Sequence, residues 1–354
     1  MYEPTYHISN ELLNKIAQIE ALRSQVNASY ILPEREIEMR YRATVEATHS
    51  STSIEGNPLN MKQVGKVLSE KQPLTRRQYA ETEVKNYKKA IDFIDKRKLT
   101  GEKLTTKDIL EAHKIITTGI LDDETKEGAW RKNPIYIENQ NGEVIYDGPS
   151  AAIAPKEVEK LLAWLNGESY NIHPIIAAAI LHYQFVSIHP FADGNGRTTR
   201  ILTMLYLGLR DYDFRGSLVL DSYYSIDKKA YYGALHEVQG ATYNSAIEAN
   251  LGPWINYFSD GFLSSVTVLS AEVTLLSSLA KNAPTGQKIS REEADLLSYI
   301  RQFGSIALSE AEGVLPNTPR RTIQRKLKSL VDAGYISAKG TTNGTKYVAK
   351  DEPT

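Results

Sequence analysis

The sequence predicts a mainly α-helical protein with a β-hairpin in its middle and a small separate module near its C-terminal end. Apolar residues recur at helical spacing in most segments, beginning with the run that starts at Leu12. Two β-prone runs, residues 135–137 and 144–146, flank an Asn-Gly pair and indicate the hairpin. A chain of 354 residues is long enough for about two or three domains.

The composition excludes several classes of function. Lysine and arginine number 42 against 43 aspartates and glutamates, so the overall charge gives no reason to expect nucleic acid or membrane binding. No cysteine is present, which excludes disulfides, thiolate chemistry and zinc–cysteine sites. The start of the chain lacks the basic and apolar parts of a signal peptide, and no apolar run approaches membrane-spanning length. We therefore expect a cytoplasmic protein that makes no membrane contact.

The first hundred residues read as a series of helices. Residues 9–28 predict the first helix, and Pro33 opens a second helix that Gly56 ends. A short helix and then a long charged helix, residues 76–97, follow, and we interpret the long one as a scaffold with a solvated face. We assign residues 1–100 to an N-terminal helical region.

Residues 101–282 form the predicted core. The hairpin lies in its first half, and the helix at residues 175–186 is apolar enough to be buried. A long, largely apolar helix over 251–279 ends this region. The sequence Ala-Pro-Thr-Gly at 283–286 then predicts a linker and a domain boundary.

The stretch from His189 to Arg200 is the densest cluster of chemically capable residues in the chain. Proline disfavours a helix in the residue before it, so Pro190 ends the preceding helix. A new helix starts after Gly194, and its free N–H groups and dipole favour an anion. Arg197 and Arg200 are three residues apart on one face of this helix, and their donor forks suit phosphate oxygens. This pattern predicts a phosphate-binding helix start.

Two further side chains at this helix start can take part in chemistry. Asp193 can hold Mg²⁺, which takes few protein ligands and completes its shell with water and phosphate oxygens. His189 can accept a proton near neutral pH. A metal hydrolase that uses His182 and His189 is disfavoured, because a helix residue and a helix end seven positions apart give poor ligand geometry.

The stretch His-x-Phe-x-Asp-Gly-Asn-Gly-Arg-x-x-Arg resembles the signature of the Fic-domain family at every fixed position. The resemblance implies a Fic-type helical core with a hairpin flap, and a protein adenylyltransferase that moves AMP from ATP to a Ser, Thr or Tyr hydroxyl. It implies His189 as the base and Asp193 as the Mg²⁺ ligand. The α-phosphate would contact the backbone N–H groups after Asp193 and the Asn195 side chain. The implied ATP-binding residues are Glu55, His189, Gly194, Asn195, Gly196, Arg197, Thr198, Thr199, Arg200 and Tyr232, the last of these packing on the adenine or the sugar.

A second motif precedes the signature. Ser51, Glu55 and Gly56 are similar to the (Ser/Thr)-x-x-x-Glu-(Gly/Asn) inhibitory motif of many Fic proteins, on a helix of about residues 48–56. The resemblance implies that Glu55 pairs with Arg200 and denies that arginine to ATP. It also implies that the hairpin flap holds the target protein as an added strand.

The C-terminal module, residues 288–350, contains three helices and a hairpin and resembles a winged helix-turn-helix domain. Its third helix and its hairpin are basic, which suits a DNA backbone. Docking to a protein and dimerisation are equally open, and we expect a homodimer. The basic residues are Arg320, Arg321, Arg325, Lys326, Lys328, Lys339 and Lys346.

Two alternatives for the whole protein stay open at this point. The same site could remove AMP from a target, with Glu55 positioning a water. Alternatively, the protein could be a DNA-binding regulator whose Fic domain senses a nucleotide. A P-loop kinase or GTPase is disfavoured, because no Gly-x-x-x-x-Gly-Lys-(Ser/Thr) sequence occurs.

Overall fold

The computed structural model describes residues 2–69, 78–101, 103–138, 141–281, 290–316, 318–340 and 345–349. They fall into two units. The first is Met1–Ser24 with Arg42–Leu269, and the second is Gln25–Tyr41 with Ser270–Thr354. The first unit therefore takes in most of both the predicted N-terminal region and the predicted core. The predicted linker at 283–286 lies outside the described residues, as do residues 139–140 and 341–344 of the two predicted hairpin turns.

The fold is mainly helical, as predicted. The helices are α1 Asn10–Ala28, α2 Pro33–Ile54, α3 Met61–Ser69, α4 Gln78–Lys98, α5 Thr106–Thr117, α6 Ala154–Leu165, α7 Pro174–Ile188, α8 Asn195–Leu209, α9 Asp221–Ile226, α10 Lys228–Gln239, α11 Tyr243–Glu248, α12 Gly252–Lys281, α13 Arg291–Phe303, α14 Leu308–Val314 and α15 Arg320–Asp332. The strands are β1 Tyr136–Glu138, β2 Val144–Asp147, β3 Ser305–Ala307, β4 Ile336–Lys339 and β5 Lys346–Ala349. Strands β1 and β2 pair antiparallel, with Ile137 opposite Tyr146, so the predicted first hairpin is confirmed.

Helix α7 is the centre of the first unit. Every residue from Ile175 to Ile188 is buried, because the helix is apolar on all sides and other elements cover it all round. It packs against α6 and α8, and α8 packs in turn against α4 and α5. The two ends of the His189–Arg200 stretch are therefore fixed to the most buried part of the fold.

Helix α12 corrects one expectation. Its segment Gly252–Ser278 is long and apolar enough to cross a membrane by length and composition, although we expected no such run. Within the first unit this helix has one buried face, formed by Trp254, Phe258 and Phe262. The Trp254 Nε1 group also donates to the Ala179 carbonyl of α7 at 2.7 Å. These contacts are those of a helix packed in a protein core. The cytoplasmic location stays a prediction.

The second unit has the predicted order of three helices followed by a hairpin. Strand β3, which the sequence did not predict, lies between α13 and α14 and completes an antiparallel sheet in the order β3-β5-β4. Helix α15 packs its apolar face into the core through Ile323, Leu327 and Leu330. The beginning of α2 belongs to this unit, and Arg40 there bonds Asp295 of α13 at 2.7 Å. The winged-helix assignment stays a prediction.

Candidate active site

The loop between α7 and α8 holds the signature residues in a tight turn. His189 caps α7 in the left-handed region, with φ 49°, and Gly194 precedes α8 with φ 76°. A side chain larger than glycine rarely adopts such a φ except where the surroundings impose it, and such positions cluster at functional sites. The Asn195 side chain closes the turn, because its Oδ1 accepts from Phe191 N at 3.0 Å and its Nδ2 donates to Phe191 O at 2.9 Å.

The Asn195 side chain supports the loop. It is buried and both of its polar atoms bond Phe191, and its contact with the α-phosphate stays a prediction. Thr198 and Thr199 are also fully buried, and the Thr199 hydroxyl donates to the Asn195 carbonyl at 2.7 Å. Their side chains therefore offer no surface to a nucleotide. The anion site at this helix start consists of backbone N–H groups, which lack intrahelical partners in the first turn.

Glu55 and Arg200 come together as predicted, and Ser51 also bonds Arg200. The Arg200 guanidinium is 1% exposed; its Nε donates to Ser51 Oγ at 2.6 Å and its NH2 group lies 2.8 Å from Glu55 Oε1. The pKa of Arg200 lies above its usual value, because Glu55 and other nearby anionic groups more than offset the lowering by burial. In this structure Arg200 is therefore engaged by the end of α2.

Arg197 is engaged in the same way by a residue that the sequence analysis missed. Its NH1 group bonds Glu83 Oε1, and its NH2 group lies 3.5 Å from Asp193 Oδ1. Glu83 and Arg197 are both buried. Burial raises the pKa of Glu83, and Arg197 and Asn57 act against that rise. The interpretation of residues 76–97 as a scaffold with a solvated face is thus wrong for Glu83. A glutamate on the same face as Tyr87 was the signal that could have found it.

His189 has the geometry of a general base. Its Nδ1 lies 3.0 Å from the Val186 carbonyl, which fixes the proton on Nδ1 and leaves the Nε2 lone pair to accept one. Burial lowers the pKa of His189 below its usual 6.5, so the ring is neutral at pH 7. Arg131 Nε donates to the His189 carbonyl at 2.8 Å and holds the turn.

Asp193 lies at the mouth of the site with a side chain 57% exposed. Among the residues that the structure describes, no group of three or more His, Cys, Asp or Glu side chains could enclose a metal. A single exposed carboxylate beside a helix start fits Mg²⁺, because this ion keeps several waters and binds through one or two carboxylates and substrate phosphates. The donor set therefore suits Mg²⁺ together with a nucleotide.

His113 supports this loop and was not predicted. Its Nδ1 accepts from Gly128 N at 3.0 Å, so its Nε2 carries the proton and donates to the Asp193 carbonyl at 2.9 Å. Its ring stacks on Phe191 with centroids 3.6 Å apart. Burial lowers the pKa of His113 to about 4, which keeps it neutral. A histidine on a helix gives little signal by itself, because most such residues are only packed.

Tyr232 lies beside this site. It is half-exposed, and burial and the charge of Glu55 raise its pKa to about 12. Its neighbour Tyr231 is buried and bonds His182 Nε2 at 2.9 Å, so His182 is a hydrogen-bonded core histidine. A cleft of about 260 Å³ opens between α4 and the signature, lined by Glu55, Tyr79, Glu83, Asp193 and Arg197.

Part of the chain is similar in sequence to known proteins. Residues 103–207 match the Fic/DOC family. The chain is 30% identical over 191 residues to "Protein adenylyltransferase Fic" of Drosophila willistoni and 33% identical over 192 residues to that of Drosophila melanogaster. These matches cover 53% and 52% of this chain but 36% and 37% of the relatives, so the chain spans little more than a third of their length.

Solved structures show the same fold. A Fic family protein from Desulfovibrio desulfuricans G20 matches 100% of both chains with a TM-score of 0.63 and 21% identity. A Fic domain containing signaling protein from Bacteroides thetaiotaomicron has the same TM-score and 25% identity, over 77% of this chain and 99% of that one. The helical core of this chain therefore has the fold of these Fic proteins. Residues 103–207, which include the signature, are similar to the Fic/DOC family.

Proposed function

We propose that this protein is an adenylyltransferase that transfers AMP from ATP to a Ser, Thr or Tyr hydroxyl of a protein. The main support for the proposal is that four side chains lie together at the start of α8: His189, Asp193, Arg197 and Arg200. The names of the Drosophila relatives support the same activity.

The chain's residues have distinct roles in the proposed reaction. The target hydroxyl oxygen attacks the α-phosphorus of ATP, the bond from that phosphorus to the diphosphate breaks, and His189 Nε2 takes the hydroxyl proton. Arg197 and Arg200 neutralise the outgoing diphosphate. Asp193 would hold Mg²⁺, which supplies charge neutralisation of the phosphates when bound.

Glu55 inhibits this reaction in our proposal. Arg200 cannot bind a phosphate while it is paired with Glu55, and the carboxylate repels the triphosphate from the helix start. In this proposal, the form with Glu55 paired to Arg200 is the inhibited one. The hairpin β1–β2 would hold the target by strand addition, which its exposed Tyr136 and Val144 side chains favour.

The test is self-labelling from α-labelled ATP with Mg²⁺. We expect strong labelling of Glu55→Gly, weak labelling of the wild type, and none of Glu55→Gly/His189→Ala. Silence of Glu55→Gly would overturn autoinhibited AMP transfer. An enzyme that removes AMP should instead lose activity in Glu55→Gly, so the same variant separates the two directions.

A second proposal concerns the C-terminal unit, which we propose binds the DNA backbone. Arg320 pairs with Glu312 and Lys326 with Glu292, so these two charges are offset inside the unit. The other basic residues of α15 point away from its apolar face at helical spacing and are exposed: Arg321, Arg325 and Lys328. Such a row suits phosphates and would give binding that weakens with salt.

A gel shift with duplex DNA at two salt concentrations tests this proposal. We expect binding at low salt, weaker binding at high salt, and weaker binding of Arg321→Ala/Arg325→Ala at both. Absence of binding at low salt would overturn it and favour docking to a protein or dimerisation.

A further inference from the structure

The segment that follows Glu55 is anchored to α4 by one side chain, Asn57. Helix α2 ends in a tight turn in which Gly56 has φ 95° and the Asn57 N–H donates to the Thr52 carbonyl at 3.1 Å. The turn thus places the Asn57 side chain two residues after Glu55, where it faces α4.

All the polar atoms of the Asn57 side chain are used. Its Nδ2 donates to the Ala80 carbonyl at 2.9 Å and to Glu83 Oε2 at 2.6 Å, and its Oδ1 accepts from Leu59 N at 3.0 Å. The buried side chains of Val84 and Tyr87 hold α4 in the core. The atoms of α4 that Asn57 bonds are therefore fixed in position. Hydrogen bonds to an ionised acceptor are among the stronger ones in proteins.

Glu83 connects this anchor to the other half of the site. Its Oε2 accepts from Asn57, while its Oε1 accepts from Arg197. One connected set of contacts therefore runs from Arg200 through Glu55 and Asn57 to Glu83 and Arg197. The end of α2 reaches both signature arginines, one directly and the other through Glu83.

The anchor matters because Glu55 itself is weakly enclosed. Its side chain is 28% exposed, and its carboxylate bonds Arg200 at 2.8 Å. A carboxylate on a turn keeps such a position only if the backbone of the turn is fixed. The bonds of Asn57 to Ala80 and Glu83 fix it from the C-terminal side.

We propose that Asn57 is a positioning residue of the inhibitory segment, which holds Glu55 on Arg200 by anchoring the turn to Glu83 and Ala80. This inference rests on the proposed AMP transfer and its inhibition by Glu55. Asn57 acts on Arg200 through Glu55, so its loss does not release Arg200 further once Glu55 has been removed.

The test compares self-labelling of the wild type, Asn57→Ala, Glu55→Gly and Glu55→Gly/Asn57→Ala. We expect Asn57→Ala to label about tenfold more than the wild type, since losing a hydrogen bond to a charged group shifts an equilibrium on the order of tenfold. The double variant should match Glu55→Gly within about twofold, because effects transmitted through one residue are not additive. Asn60→Ala is the matched control, because Asn60 lies three residues further along the same segment and its side chain caps α3, accepting from Gln63 N at 3.0 Å.

Two outcomes would show that Asn57 does not position Glu55. One is Asn57→Ala at or below the wild-type level while Glu55→Gly labels strongly, and the other is a further increase in the double variant. If a thermal melt shows that Asn57→Ala does not fold, Asn57→Asp replaces it in the test. Aspartate has the same size but lacks the Nδ2 donor, so we expect Asn57→Asp also to raise labelling. If Glu55→Gly is silent, the proposed function fails by itself. Calorimetry with a non-hydrolysable ATP analogue then tests the anchor, and equal affinities of wild type and Asn57→Ala would reject it.

Discussion

The carboxylate of Glu55 lies directly over the backbone of Gly196: a Cβ atom at position 196 would lie 2.3 Å from Glu55 Oε1. The same oxygen is 2.8 Å from Arg200 NH2. A side-chain anion thus occupies the start of α8, where the free N–H groups and the helix dipole favour negative charge. Glu55 takes the place at which we expect the ATP phosphates, so its effect is competition for one position.

Gly196→Ala tests this shared position. The helical backbone accepts alanine, but the methyl group would fill the space that an oxygen atom now occupies. We expect Glu55→Gly/Gly196→Ala to label at least about tenfold less than Glu55→Gly, as a misplacement of about 1 Å can cost far more than tenfold. Gly65→Ala in α3 is the control, because its Cβ would meet Val45 at an ordinary 3.7 Å. Equal labelling of the two Glu55→Gly proteins would place the phosphates elsewhere.

The pH dependence of the reaction tests His189 as the base. Burial lowers the pKa of this histidine below 6.5, so its neutral form persists into more acidic solution than that of an exposed histidine. We expect kcat/KM of Glu55→Gly to stay level from about pH 8 to about pH 6.5 and to fall only below that. An acidic limb centred above pH 6.5 would contradict the assignment. Glu55→Gly/His189→Ala supplies the baseline at each pH.

Arg131 links the base to the flap. Besides the His189 carbonyl, its guanidinium donates to the carbonyls of Asn133, at 2.9 Å, and Pro149, which flank the hairpin. Lysine keeps the charge but cannot span three acceptors, because it lacks the planar fork. We expect Arg131→Lys in the Glu55→Gly background to lower kcat about tenfold. Arg35→Lys, at an exposed position, should leave kcat unchanged, and an unchanged kcat in Arg131→Lys would show that the link is dispensable.

Part of this site was predictable because it is encoded in fixed spacing. Glu55 follows Ser51 by one helical turn, and the pairing of Glu55 with Arg200 that the resemblance implied is present. The hairpin was predictable from β-prone runs around an Asn-Gly turn, and the end of α2 from Gly56. Such signals are local, so the sequence carries them without knowledge of the packing.

The rest depends on contacts between distant segments. Glu83 and Arg197 are 114 positions apart, and the sequence around either residue does not indicate that the two are in contact. A polar residue on an apolar helix face indicates that some partner exists but not which one. Asn195 is a second example of a contact that the sequence did not predict. Its place in the signature suggested a phosphate ligand, and in the structure both of its polar atoms bond the backbone of Phe191.

His113 makes the stability of the folded chain depend on pH. Its pKa is about 4 in the folded chain and near 6.5 when unfolded, so below pH 6.5 the unfolded state binds the extra proton and stability falls as pH drops towards 4. From pH 7.5 to 5 this single group should lower the free energy of unfolding by roughly 2 kcal/mol.

His113→Gln keeps an N–H donor for the Asp193 carbonyl but does not titrate. We expect it to be less stable at pH 7.5, because the stacking on Phe191 is lost, and to lose roughly 2 kcal/mol less on acidification. Urea unfolding at the two pH values measures this, with His7→Gln at an exposed position as the control. An equal loss in His113→Gln and wild type would mean that His113 is not held neutral by the fold.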